Sequence, residues 1–291
     1  MSSYDLMIQA NYSLITGAQL NDMMQRRIVK QLLASQSRAL QLKRLYNSAH
    51  SQDAGSENPR MYSVFFTPPY RGSKLKTLFG KKPQSYILAS NMVELEILRL
   101  LNVFAPDRHE VMAMTESTLE RLQTTCFAGQ GCATGECFDA MLISLRFLAT
   151  AAPQETAWIR RLLHVYTEHA EDKKRARSLL WYYWLCLAEL PYEIARPEIE
   201  KNREALLHQL NAKSRSWKSP EQRQIQHMLY CTAANCLSRL PEYSHLAGRQ
   251  PYLCPEGKCY LFDTEHTPVF NTQLYIPWQT YLREGARYAG A

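Results

Sequence analysis

The sequence predicts a mainly α fold, an irregular stack of antiparallel helical hairpins or a bundle, with one or two small β elements. Three observations point there. Apolar residues recur at spacings of three and four over most of the chain, Pro, Gly or charged breaks separate the segments so patterned, and strand-like runs occur in only two places. At 291 residues the chain is about twice the usual domain length, ample for a sizeable core. Hydrophobic residues at 46% and charged residues at 21%, with 5 Trp and 17 Tyr, exclude a disordered body.

The first segment, 1–60, reads as helix followed by exposed loop. Leu20, Met23, Met24, Ile28, Leu32, Leu40 and Leu45 mark one long amphipathic helix or two, ending before a polar stretch at 48–59. In the second, 61–123, residues 61–67 have strand composition and stop at Pro68 and Pro69. A basic loop follows, then a helix from Asn91, with Glu94 completing a capping box, and a second helix over 107–123.

The third segment, 124–250, is the helical-hairpin body. After a Gly-rich loop, helices are expected near 136–151, 154–170, 173–190, 195–211 and 219–238, separated by breaks such as Pro153, Pro191 and Pro220. The apolar run 179–188 is too short to cross a bilayer and suits a helix buried on all sides. The last segment, 251–291, reads as a β-hairpin turning at Pro255 to Lys258, then a tail packed on the body through its aromatics.

No apolar stretch reaches the ~18 residues of a membrane span, and no basic start followed by an apolar run opens the chain. The expectation is therefore a soluble, cytoplasmic protein without a membrane partner. In that setting the 8 cysteines read as reduced, mostly buried thiols. Walker loops, dinucleotide fingerprints and Gly-x-Ser-x-Gly elbows are absent from the sequence, so it offers no nucleotide or cofactor site.

Four constellations carry chemistry. Cys137 opens an apolar helix after a Gly-rich loop, where unpaired amides and the helix dipole favour a thiolate. The run Gly135, Glu136, Cys137, Phe138, Asp139, with Leu145 and Arg146 further along the helix, resembles the nucleophile segment of transglutaminase-like cysteine enzymes. The resemblance covers about a dozen residues and implies Cys137 as nucleophile with a His partner. That family continues into strands, whereas this chain continues into helical sequence bearing His164 and His169, of which His169 is the preferred base.

Cys126, Cys132 and Cys137 cluster within twelve residues, but with five and four residues between them instead of the two of a zinc knuckle, so no metal ligand is assigned. Arg71, Lys74, Lys76, Lys81 and Lys82, interleaved with Tyr70, Phe79 and Tyr86, form a loop suited to phosphates or an acidic partner. Trp181 and Trp184, with the tyrosines between them, cover every side of one helical turn and offer anchors for a peptide or protein partner. The best reading is a non-enzymatic helical binding or scaffold protein. The alternatives are a cysteine enzyme using Cys137 and a zinc-stabilised protein binding nucleic acid.

The +7 net charge and the basic loop make nucleic acid testable. If the loop grips phosphates, fluorescence anisotropy with DNA and RNA at low salt shows binding that weakens with salt, whereas a merely solvated loop gives no such change. Replacing Lys74, Lys76, Lys81 and Lys82 by Ala should flatten the log–log salt slope by roughly 0.7 to 0.9 for each phosphate that is no longer neutralised. No binding at ~10 µM protein excludes even ordinary non-specific affinity.

Overall fold

The computed structural model describes residues 2–17, 20–36, 62–68, 75–132, 134–169, 177–211, 219–247, 250–253 and 259–262. The fold is mainly helical, as the periodicity predicts. The helices are α1 Ser3–Ile15, α2 Asp22–Ala34, α3 Tyr86–Phe104, α4 His109–Gln123, α5 Cys137–Ala151, α6 Thr156–His169, α7 Arg177–Glu189, α8 Tyr192–Asn211 and α9 Pro220–Leu237. A π-helical turn, Cys126–Gln130, joins α4 to the loop before α5, and a 3-10 turn, Pro241–Leu246, follows α9. Side-chain caps start several of them: Asn21, Ser85 and Ser219 accept the amides of Met24, Leu88 and Gln222. Among the described residues no helix is long and apolar enough to cross a membrane.

The chain divides into two compact units, the first formed by residues 1–11 and 20–191. At its centre lie α3 and α5. Every residue from Leu88 to Leu101 on α3 and from Phe138 to Leu148 on α5 is buried. The two pack on each other, with α2 and α4 against α3 and α6 and α7 against α5. Three stacked rings tie α5, α6 and α7 together: Phe138 lies 5.2 Å from Tyr166, which lies 4.0 Å from Tyr183.

Burial of the long middle stretches of these two helices forces charged residues inward, and each is met. The Arg146 guanidinium, 0% exposed, donates through Nε and Nη2 to Glu189, both at 2.8 Å, and through Nη1 to Glu96 at 2.7 Å and to Asn11 at 3.0 Å. Arg99 adds its Nη2 to Glu189 at 2.7 Å and its Nη1 to Asn11 at 3.3 Å, while the Tyr182 hydroxyl donates to Glu96. Burial pushes the Glu189 carboxyl up, but Arg146 and Arg99 outweigh it and hold the group below the usual carboxylate range.

The second unit comprises residues 12–19 and 192–291. In it α8 packs on α9; Ile194, Ala195, Ile199 and Leu206 are buried on α8, and Met228, Leu229 and Cys231 on α9. Tyr12 stands edge-on to buried His227, with its hydroxyl 2.7 Å from Nδ1. Gln250–Leu253 (β1) pairs antiparallel with Cys259–Phe262 (β2), Tyr252 opposite Tyr260. The turn expected between them, and the tail beyond 262, lie outside the described residues.

Three local expectations are corrected. No strand forms over 62–67: the amides of Val64, Phe65 and Phe66 donate instead to one oxygen of Glu94, at 2.6, 2.5 and 3.2 Å. Glu94 is thus no capping residue but a buried anion, also paired with Arg121 at 2.9 Å, and α3 starts five residues earlier than Asn91 suggests, at Tyr86. Finally, α1 precedes the first helix expected, and it brings Asn11 to the two buried arginines.

Replacing Arg146 by Met leaves Glu96 in the core without its cation and should lower stability by about 3–5 kcal/mol. Met at Arg108, whose pair with Glu110 has both side chains 51% exposed, should cost less than about 1 kcal/mol. Urea titrations of the two variants against the parent protein check the contrast, and equal midpoints for the two variants refute it.

Candidate metal centre

The loop between α4 and α5 is built tightly. Thr125 opens the π-turn: its hydroxyl accepts the Ala128 amide at 3.2 Å and donates to the Leu122 carbonyl at 2.8 Å. Phe127 and Ala128 are fully buried, and the Trp158 indole on α6 donates to the Ala128 carbonyl at 2.7 Å. Gly129 lies where a Cβ would sit 2.1 Å from the Gln123 carbonyl oxygen, so no larger residue fits without moving backbone. Gly131 ends the turn at φ +75°. From there the Cys132 amide returns to the Cys126 carbonyl at 2.9 Å.

The start of α5 is held from the other side. Glu136 accepts the Ser85 amide and hydroxyl at 2.6 Å each and the Gln84 amide at 2.8 Å, placing its carboxylate at the N-terminus of α3. Asp139 accepts the Lys81 ammonium at 2.5 Å. Cys137 lies between these two anchors, at the first position of α5.

The result is a trithiol cluster. Sulfur atoms of Cys126, Cys132 and Cys137 all lie within 4.8 Å of one another, and the Cys126 and Cys137 sulfurs are 3.8 Å apart. All three residues are partly exposed. Four sulfurs around zinc at about 2.3 Å stand about 3.8 Å apart along each edge of the tetrahedron. The Cys126–Cys137 pair already has that spacing, and Cys132 needs to approach by at most about an ångström. The donors are soft thiols, suited to a thiophilic ion.

Proton affinity differs within the cluster. Burial, then the neighbouring Cys126 and Cys132 thiols, push Cys137 up to about 12. Burial also raises Cys126. Burial acts upward on Cys132 too, but hydrogen bonds from Thr134, whose hydroxyl is 2.9 Å from the sulfur, and from the other two thiols outweigh it and leave that thiol lowered. The dipole expected to activate Cys137 is therefore overcome by desolvation and by two like groups.

The other expected site residues are dispersed. His169 is exposed and its Nδ1 donates to the Val165 carbonyl of its own helix at 2.9 Å, while His164 pairs with Glu168 at 3.1 Å. Among the basic residues, Lys81 is engaged by Asp139, the Lys76 amide donates to the Tyr4 hydroxyl at 2.9 Å, and Lys82 is exposed. Arg71 and Lys74 lie outside the described residues. Trp184 is 3% exposed within the core, and Trp181 packs edge-on to Phe79 at 6.1 Å. Sequence reasoning missed Thr134, Thr125 and Glu136 as the supports of the cluster. Three thiols with glycines between them were the available signal.

Comparisons with protein-family models, with curated proteins and with solved structures returned no match to this chain.

The proton ordering gives a direct expectation. In metal-free protein at neutral pH, iodoacetamide should modify Cys132 before Cys126 and Cys137, because the thiolate is the reacting form. Quenched time points mapped by mass spectrometry check this, and fastest alkylation at Cys137 would contradict it.

Proposed function

We propose that this chain is a non-enzymatic helical binding protein whose ligand is a thiophilic divalent metal ion, zinc being the first candidate, held by Cys126, Cys132 and Cys137. The observation that supports the reading is the convergence of three sulfurs within 4.8 Å from a π-turn, a loop and a helix start. Each thiol must lose its proton to bind, and three adjacent thiolates repel one another, so a cation is what makes the deprotonated cluster favourable. Three protein donors leave a tetrahedral ion one further position, filled by solvent or another ligand.

The geometry gives the cysteine-enzyme reading little to build on. A nucleophile needs a base within hydrogen-bond reach, whereas the partner of the Cys137 sulfur is the Cys126 thiol and the imidazole of His169 turns to its own helix. Of the described residues expected to form an aromatic and basic partner surface, Trp184 is buried in the core and Lys81 pairs with Asp139, which weakens that reading.

Metal-free protein titrated with zinc against a chromogenic competitor should bind one equivalent. Serine at Cys126, Cys132 or Cys137 should each weaken binding by more than the ~10–100-fold that outer-shell changes cause. Serine at the buried Cys231 or Cys236 should leave it unchanged. Zinc binding that survives the triple substitution, or none in the parent, refutes the reading.

A further inference from the structure

The same geometry that suits a metal suits oxidation. The sulfurs of Cys126 and Cys137 are 3.8 Å apart and need to close to about 2.05 Å to form a disulfide. Both are partly exposed, so a small oxidant reaches them. Both residues sit on supported backbone, Cys137 at the start of α5 and Cys126 at the start of the pinned π-turn, so the ~2 Å approach falls to rotation of the two side chains about χ1.

We propose that Cys126 and Cys137 form an oxidative modification site, at which a peroxide converts the pair to an intramolecular disulfide and closes the centre to metal. The release of metal rests on the metal-binding reading above; the disulfide does not. In the first step a cluster thiolate attacks one peroxide oxygen, the O–O bond breaks, and a sulfenic acid and hydroxide result. A neighbouring thiolate then attacks the sulfenic sulfur, forming the S–S bond as the S–O bond breaks and hydroxide leaves. With the two thiol protons, the hydroxides become water, so two thiols and one hydrogen peroxide give one disulfide and two waters. Two electrons pass from sulfur to oxygen.

The third thiol decides where the bond settles. Whichever sulfur meets the peroxide first, both others lie within 4.8 Å, and attack of a thiolate on a disulfide sulfur releases the other partner as thiolate. That exchange carries the bond to the nearest pair, leaving Cys132 reduced. A single remaining thiolate cannot hold the ion that three held, and zinc leaves.

The test uses the full chain with hydrogen peroxide as oxidant. Trypsin yields one peptide, 122–146, containing all three cysteines, and a second cut after Glu136 separates Cys137 from the other two. After one equivalent of peroxide, metal-free protein should lose two of its 8 thiols. Non-reducing mass spectrometry should link Cys137 to Cys126, with Cys132 still open to alkylation, and dithiothreitol should restore both thiols. The Cys132→Ser variant should form the same link. Zinc-loaded protein should release one equivalent of zinc to a chromogenic chelator as the link forms. Three alkylatable cysteines after peroxide, a link made to Cys132 instead, or sulfinic acid without a link overturns the proposal. If the protein binds no zinc, the metal reading falls while the mapped link still decides the modification. If zinc binds and no link forms, only the modification falls.

Discussion

Two arginines and Glu96 inside an apolar core, with Glu189 at its edge, impose the constraint on which the first unit depends. Arg146 cannot be buried at 0% exposure unless partners saturate its fork, and they come from three other helices: Glu96 on α3, Glu189 at the end of α7 and Asn11 on α1. A rotation or one-turn slip of any of them would strand a charge in low dielectric, at a cost of several kcal/mol. Apolar packing alone tolerates many relative placements of helices as uniformly greasy as α3 and α5. Here the ion network selects one of them.

That selection reaches the thiols through α5. With its middle fixed by Arg146 and its first turns by Glu136, Asp139 and the ring stack on Phe138, the position of Cys137 follows from contacts that have nothing to do with sulfur chemistry. Cys126 is positioned independently, by the turn that Thr125 opens and Trp158 pins. Only Cys132 rides on a loop. Two donors on supported elements and one adaptable donor make a centre that is spaced beforehand yet able to adjust its third sulfur to an incoming ion.

Much of the architecture is legible in the sequence because helices announce themselves locally. Pro106, Pro153 and Pro191 fall at the breaks between helices, and that punctuation sets off the apolar segments of α5, α6 and α7. What fails is local inference about residues whose partners are remote. Asn91 and Glu94 have the spacing of a capping box, yet Glu94 answers to three amides about 30 residues upstream and to an arginine 27 residues downstream. Asn11 interrupts the apolar pattern of α1, and its purpose appears only with an arginine 135 positions away. The strand expected at 61–67 has the right composition, but its amides go to a carboxylate and not to a neighbouring strand. Cysteine spacing did not announce that the three sulfurs converge, since the two-residue knuckle is one route to convergent sulfurs and a π-turn folding back on a helix start is another.

The core and the thiol cluster pose the same electrostatic problem with opposite solutions. In the core the chain supplies both signs: Glu96 and Glu189 face Arg99 and Arg146, and the charges cancel without help. At the cluster it supplies groups that become anions, while Lys81, the cation held on the same helix start, pairs with Asp139. The strongest influences on each thiol are burial and hydrogen bonds or charges of its fellow thiols and Thr134, none of them a positive charge. The cluster thus holds a capacity for negative charge that none of these influences, among the described residues, balances with a cation. Such an imbalance can be settled by an ion from outside or by removing two thiols as a disulfide. That is why a cluster of modest size outweighs, as a candidate site, the larger and fully satisfied network at the centre of the fold.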